Sequence, residues 1–173
     1  MPVITLFSGS YCNEKQVVQE VASRTGYRLI LDQAFVAEAS RLSTIPENRI
    51  ERVFADKTSV FNRLTREREN SLAHLRMALA QTLSEDNLLI SGFAGQLIPR
   101  HINHVLRVCL IADMNSRIAA AAGECRVGQP GALKMIHRED EKCAAWMHML
   151  YGIKDPWRAS LYDISFPTDK TSP

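Results

Sequence analysis

The opening residues Met1-Pro2-Val3-Ile4-Thr5-Leu6-Phe7-Ser8-Gly9-Ser10-Tyr11-Cys12-Asn13-Glu14-Lys15-Gln16 constrain the fold more than any other stretch. An apolar run stops at small residues, and a helix-compatible segment over residues 14–24 begins at once. Strand, turn and helix in immediate succession gather the backbone N–H groups of the turn and of the first helical residues around one point. An anion can be held there, and a lysine can reach its outer oxygens. The full phosphate-loop pattern is G-x-x-x-x-G-K-[ST]. Gly9 and Lys15 stand at that spacing, whereas Glu14 replaces the second glycine and Gln16 the hydroxyl residue. A carboxylate repels phosphate, and glutamine lacks the hydroxyl that ligates magnesium. Gly9, Ser10, Tyr11, Cys12, Asn13 and Lys15 are the candidate nucleotide-binding residues of this turn. Lys15 is either a phosphate contact or a solvated lysine on the first helix.

Apolar runs and helical periodicities alternate along the rest of the chain, as in an α/β fold with a mainly parallel sheet. Five strands are predicted, at residues 3–7, 27–31, 88–90, 105–111 and 161–166. The middle three are nearly continuous in apolar residues, as expected where helices cover both sheet faces. Helices are predicted at residues 34–41, after Pro46, at 66–83 with Thr65 as its cap, and at 132–150. Gly123, Gly128, Pro130 and Gly131 suggest a hinge before the last of these. The final strand is followed only by Pro167-Thr168-Asp169-Lys170-Thr171-Ser172-Pro173, where such a sheet ordinarily continues into a covering helix. The expectation is one domain, truncated before its last helix, with further domains in the full-length chain.

Bulk properties exclude several function classes. A chain of 173 residues, 46% hydrophobic, suits a single core, and a formal net charge of +2 gives no reason to expect nucleic acid or an anionic membrane as partner. Cys12, Cys109, Cys125 and Cys143 are scattered, without a C-x-x-C pair or clustered histidines, so free thiols and no metal site are expected. No apolar run reaches membrane-spanning length, and a cytoplasmic protein is expected. Ser8 and Ser10 lack the surroundings of a hydrolase elbow. Asp32 ends the second strand at the carboxyl edge of the sheet, where ligands gather, and its other reading is an N-cap for the following helix.

In that order the elements resemble the cytidylate kinase-like family of P-loop nucleoside-monophosphate kinases, across most of the chain. Ile4-Thr5-Leu6, the turn, the helix and Gly26-Tyr27…Leu31-Asp32 look like the family's first strand, phosphate loop and second strand. Asn87-Leu88-Leu89-Ile90-Ser91-Gly92-Phe93-Ala94 is similar to its I-x-G-R-G-A segment. Val105-Leu106-Arg107-Val108-Cys109-Leu110-Ile111-Ala112 with Arg117 resembles its fourth strand and the start of its lid. Ile136-His137-Arg138-Glu139-Asp140 and Trp157…Leu161-Tyr162-Asp163-Ile164 are similar to its charged lid segment and its closing strand.

The resemblance implies a P-loop NTPase-type three-layer fold with a small helical lid at about residues 117–150. It also implies transfer of phosphate from ATP, with magnesium, to a pyrimidine monophosphate. Lys15, Arg117, Arg138 and Asp140 would be the catalytic residues, and Asp32, Gly92, Phe93 and Arg107 would complete the nucleotide site. Phe93 stands where the family has an arginine for the acceptor phosphate, and Cys143 where a lid arginine is expected, with Lys142 displaced about 100° round a helix. The resulting expectation is a nucleotide-binding domain with degenerate catalytic motifs, serving as a ligand-sensing module. A working kinase for CMP and a protein-interaction or homodimerisation module are the alternatives.

Overall fold

The structure, a computed structural model, describes residues 3–54 and 63–171. Its sheet has five strands: β1 (Val3–Ser8), β2 (Arg28–Leu31), β3 (Leu88–Ser91), β4 (Val105–Ile111) and β5 (Ile164–Pro167). Their order is β2-β3-β1-β4-β5, and every pairing is parallel. β1 pairs with β3 on one side, Val3 opposite Leu88, and with β4 on the other, Val3 opposite Val105. The turn after β1 therefore emerges at the middle of the carboxyl edge, flanked by the ends of β3 and β4.

Helices α1 (Glu14–Thr25), α2 (Asp32–Leu42), the short α3 (Glu47–Ile50), α4 (Arg63–Thr82), α5 (Met114–Cys125) and α6 (Gln129–Tyr151) connect the strands. Strand alternation sends β1 residues to two cores. Val3, with Ile30, Leu88, Ile90 and Val105, packs against Phe35, Val36, Leu75, Leu79, Trp146 and Met147 of α2, α4 and α6. Leu6, Leu89 and Leu110 face the other way, onto Val17 and Val18 of α1. Burial on both faces explains why β3 reads as a nearly continuous apolar run rather than an alternating one. A third seam, Ala121, Ala132 and Ile136, joins α5 to α6, and the ring of Tyr11 packs into it.

The all-parallel sheet agrees with the expected fold class, and β4 has the predicted bounds. Other boundaries move. β5 starts at Ile164, because Leu161 closes a 3-10 turn (Ala159–Leu161) and the side chain of Asp163, in place of a main-chain carbonyl, accepts from the Arg107 N–H. Thr65 lies inside α4 instead of capping it, and Gly123 lies inside α5; Gly128 is the residue that caps α6. Ser172 and Pro173, named above in the tail, lie outside the described residues. Among the described residues no helix is long and apolar enough to cross a membrane.

Candidate functional site

The β1–α1 turn is built on unusual backbone. Tyr11 and Asn13 have φ of 60° and 55°, left-handed values that cost non-glycine residues about 1 to 3 kcal/mol each and persist only where the surroundings enforce them. The enforcement is visible. The Gly9 N–H donates to the Leu110 carbonyl at 3.0 Å, which pins the turn to β4. A Cβ on Gly9 would sit 3.0 Å from the Cys12 sulfur, so the close return of the chain depends on that glycine. The Tyr11 hydroxyl lies 3.5 Å from the Cys125 sulfur at the end of α5. Burial pushes the Cys12 thiol up to about 11, so it is held as a neutral, unreactive group.

The consequence of this backbone is a run of N–H groups, residues 10–16, that reach no acceptor among the described residues; the first turn's internal bonding begins with Val17 N–H to the Asn13 carbonyl at 3.3 Å. Successive unpaired N–H groups at a helix start carry partial positive charge and suit an anion. Asn13 does not consume them: its side chain donates to Gln16 Oε1 at 2.8 Å. Lys15 is exposed and forms no side-chain hydrogen bond or ion pair with the described residues. The indole N–H of Trp157, buried and without an acceptor among the described residues, lies 3.7 Å from where a Gly9 Cβ would be.

Arg117 and Asp140 meet over this turn. Arg117 donates from Nε to the Ser10 carbonyl at 2.8 Å and from Nη2 to Ser10 Oγ at 2.7 Å. The same Nη2 reaches both Asp140 oxygens, at 2.6 and 2.7 Å, and Ser10 Oγ donates to Asp140 Oδ1 at 2.7 Å. The two charged side chains are only 12% and 20% exposed, so the pair is screened less than a surface ion pair. Arg138, grouped with them in the sequence, is on the outside: it pairs with its neighbour Glu139 at 3.1 Å and is 63% exposed. Glu139 also accepts from Lys142, at 3.0 and 3.1 Å.

A second cluster forms at the end of β3. Asp32 is the first residue of α2, whose N-cap is Leu31, so the expected cap of its own helix is corrected. Its carboxylate instead accepts from the N–H groups of Phe93 (2.9 Å) and Ala94 (2.8 Å), which open a 3-10 turn (Ala94–Leu97). Gly92 permits this: its φ is 117°, and a Cβ there would collide with the Asp32 carboxylate. Burial pushes the Asp32 carboxyl up to about 6, against the two N–H donors and with help from the nearby charge of Glu14. Glu14 in turn accepts from the Ser91 hydroxyl at 2.5 Å, which turns its carboxylate toward the end of β3.

Phe93 sits in an aromatic group. Its ring is edge-on to Trp146 with centroids 4.8 Å apart, stacks on Phe54 at 5.8 Å, and meets Phe7 at 5.9 Å. Cys143 is buried beside Phe7 and Cys109, and burial raises its thiol to about 12. Arg107 points to the other end of the molecule. Its guanidinium donates to the carbonyls of Pro99 (3.1 Å), Ile102 (3.5 Å) and Val105 (3.3 Å), at the amino end of β4, and it lines a surface cavity of about 560 Å³ with Arg100, His104 and Asp163. The structure thus gathers Gly9 to Asn13, Lys15, Arg117 and Asp140 at one place, puts Asp32, Gly92 and Phe93 beside them across the end of β3, and leaves Arg138 and Arg107 apart. Ser10 as a hydroxyl relay and Glu14 as the partner of Ser91 are contacts that no local pattern signals. Among the described residues no group of three or more His, Cys, Asp or Glu could hold a metal ion.

An all-parallel sheet in this order, covered by helices on both faces, with an N–H-lined turn between the central strand and its helix, defines a three-layer α/β domain. The sequence model of the cytidylate kinase-like family matches residues 3–170, and the chain belongs to that family. A solved structure of an uncharacterized protein from Eubacterium ventriosum ATCC 27560 shares the fold, with a TM-score of 0.72 at 13% identity over 99% of this chain and 90% of that one. TT1252 from Thermus thermophilus is 19% identical over 82% of this chain and 83% of that one, with a TM-score of 0.45. No curated protein matches the chain.

Proposed function

We propose that this chain is a nucleotide-binding domain whose β1–α1 turn takes the phosphates of ATP and whose phosphoryl-transfer apparatus is degenerate, so that it works as a ligand-sensing module. The observation that carries the reading is the run of unpaired N–H groups at residues 10–16 with the unengaged Lys15 beside it. Those groups fit a polyphosphate, and the family gives kinase-like use of ATP with magnesium as the general precedent. The same residues fit the metal less well. Gln16 offers no hydroxyl, and the Ser10 hydroxyl is already committed to Asp140. Magnesium, when bound with ATP, would neutralise phosphate charge; the chain's own contribution is the N–H cradle and Lys15.

Degeneracy rests on what surrounds the acceptor side. An acceptor phosphate at the end of β3 would meet the ring of Phe93 and the carboxylates of Glu14 and Asp32. Phosphoryl transfer is mostly positioning and charge neutralisation, so an apolar and acidic wall there opposes it. The test is calorimetric titration and thermal shift with ATP and CMP, with and without magnesium, on the wild type and Lys15→Ala. ATP at about 100 times its dissociation constant stabilises by about 2.7 kcal/mol, and Lys15→Ala weakens it tenfold or more by roughly 1.4 kcal/mol. No response to any nucleotide would favour the protein-interaction reading, in which the aromatic group closes the cleft.

A further inference from the structure

We propose that Asp140 is a built-in competitor for phosphate: its carboxylate holds Ser10 and Arg117 in a latched state, and a polyphosphate on the β1–α1 turn must displace it, loosening α6 from the turn while Arg117 of α5 turns to the phosphate. The inference rests on the reading above and supplies its regulation.

Three observations carry it. First, an anion already occupies the polar side chains over the turn. Arg117, whose planar fork suits bidentate recognition of phosphate, uses Nη2 on both oxygens of Asp140 and on Ser10 Oγ, while its Nε is held by the Ser10 carbonyl. Second, the contact joins three separate parts of the chain: Ser10 on the turn, Arg117 on α5 and Asp140 in the middle of α6. Third, Tyr11 repeats the linkage, with its ring in the α5–α6 seam and its hydroxyl against Cys125. The turn is therefore braced by the helix pair at two consecutive residues.

A phosphate cradled by residues 10–16 would bring several negative charges close to a carboxylate that is mostly shielded from water, where repulsion is strong. The same phosphate would offer Arg117 a better-matched partner. Displacement of Asp140 removes the bond between α6 and Ser10, so ligand binding and the α5–α6 arrangement are linked, and linkage is reciprocal. A state that must first be unlatched has its apparent affinity lowered by the unlatched fraction.

The experiment compares inorganic tripolyphosphate binding to wild type and Asp140→Asn by calorimetry. Asparagine keeps an acceptor for Arg117 and Ser10 but not the charge. The expected result is at least about tenfold tighter binding by Asp140→Asn. Hydrogen exchange on the wild type alone is the second readout: tripolyphosphate slows exchange at residues 10–16 and speeds it in α6 near Asp140. Equal or weaker binding by Asp140→Asn, or unchanged exchange in α6 near Asp140 while the turn is protected, overturns the latch and leaves the phosphate-loop reading standing. Binding by Asp140→Asn but not by wild type supports both, and binding by neither overturns both.

Discussion

Phe93 and Trp146 lie edge to face with ring centroids 4.8 Å apart, one from the turn after β3 and the other from the buried side of α6. Phe54 touches both rings, and Phe7 touches Phe93, so the sheet's carboxyl edge is closed on one side by aromatic surface. Such pairs add about 0.5 to 1.5 kcal/mol beyond the area they bury.

Truncating Phe93 therefore separates packing from binding. Phe93→Ala is expected to lower stability by about 3 kcal/mol, read as a shifted denaturant midpoint with an unchanged slope. ATP affinity should stay within about twofold, since the ring faces Trp146 and not the β1–α1 turn. A large loss of ATP binding in a folded Phe93→Ala protein would instead put the ring at the donor site.

Catalysis is expected to be undetectable or very slow in the unaltered chain. A coupled assay with ATP and CMP should register far less than the ~1 to 100 turnovers per second usual for kinases. Phe93→Arg should improve monophosphate binding more than turnover, because Cys143 and Glu14 remain as they are and such contributions do not add. Turnover at an ordinary kinase rate by the wild type would make the chain a working enzyme.

Glu14 offers a test by charge alone. Glu14→Gln keeps an acceptor for the Ser91 hydroxyl and removes the negative charge at the start of α1. Tighter ATP binding, by roughly 1 kcal/mol or fivefold, is expected in low salt, shrinking as salt rises. Unchanged affinity at both ionic strengths would mean that the bond to Ser91 keeps the carboxylate out of the phosphate's field.

Asp32 sets a pH dependence. Its carboxyl titrates at about 6 in the fold against 3.8 ordinarily, first because of burial. Between those values the folded state binds more protons than the unfolded state, so stability falls as pH rises through that window and is level above it. The fall is about 3 kcal/mol by the size of the shift. Asp32→Asn should flatten the curve, and Glu14→Gln should lower the Asp32 midpoint, since the charge of Glu14 helps to raise it. Carbon-13 NMR titration of the Asp32 carboxyl reads the midpoint directly; a value near 4 in the wild type would contradict both expectations.

Gly92 is expected to tolerate no side chain. A Cβ would collide with the Asp32 carboxylate in a backbone conformation that L residues avoid. Gly92→Ala should destabilise by at least about 2 kcal/mol, and Gly92→Ala with Asp32→Gly should recover part of that loss, measured as a double-mutant cycle. Independent effects of the two changes would mean that φ strain, and not the clash, dominates.

The amino-acid sequence by itself determined the order of strands and helices, the parallel sheet and the position of the N–H-lined turn. These follow from apolar patterning and from small residues at a strand end, which act over a few neighbours. It also pointed to Ser10, Lys15, Arg117 and Asp140. Only the tertiary structure decided what those residues touch. Asp32 reads as a cap of its own helix until β3 and Phe93 arrive beside it. Arg138 and Asp140 are near neighbours in one charge run, yet helical rotation turns Asp140 toward Ser10 and Arg117 and leaves Arg138 in solvent. Arg107 belongs to a strand that resembles a nucleotide-binding element, but its side chain turns back along β4 to bond carbonyls at the amino end. Contacts such as Ser10 with Asp140 join residues 130 positions apart, and packing of whole elements, rather than local propensity, brings them together.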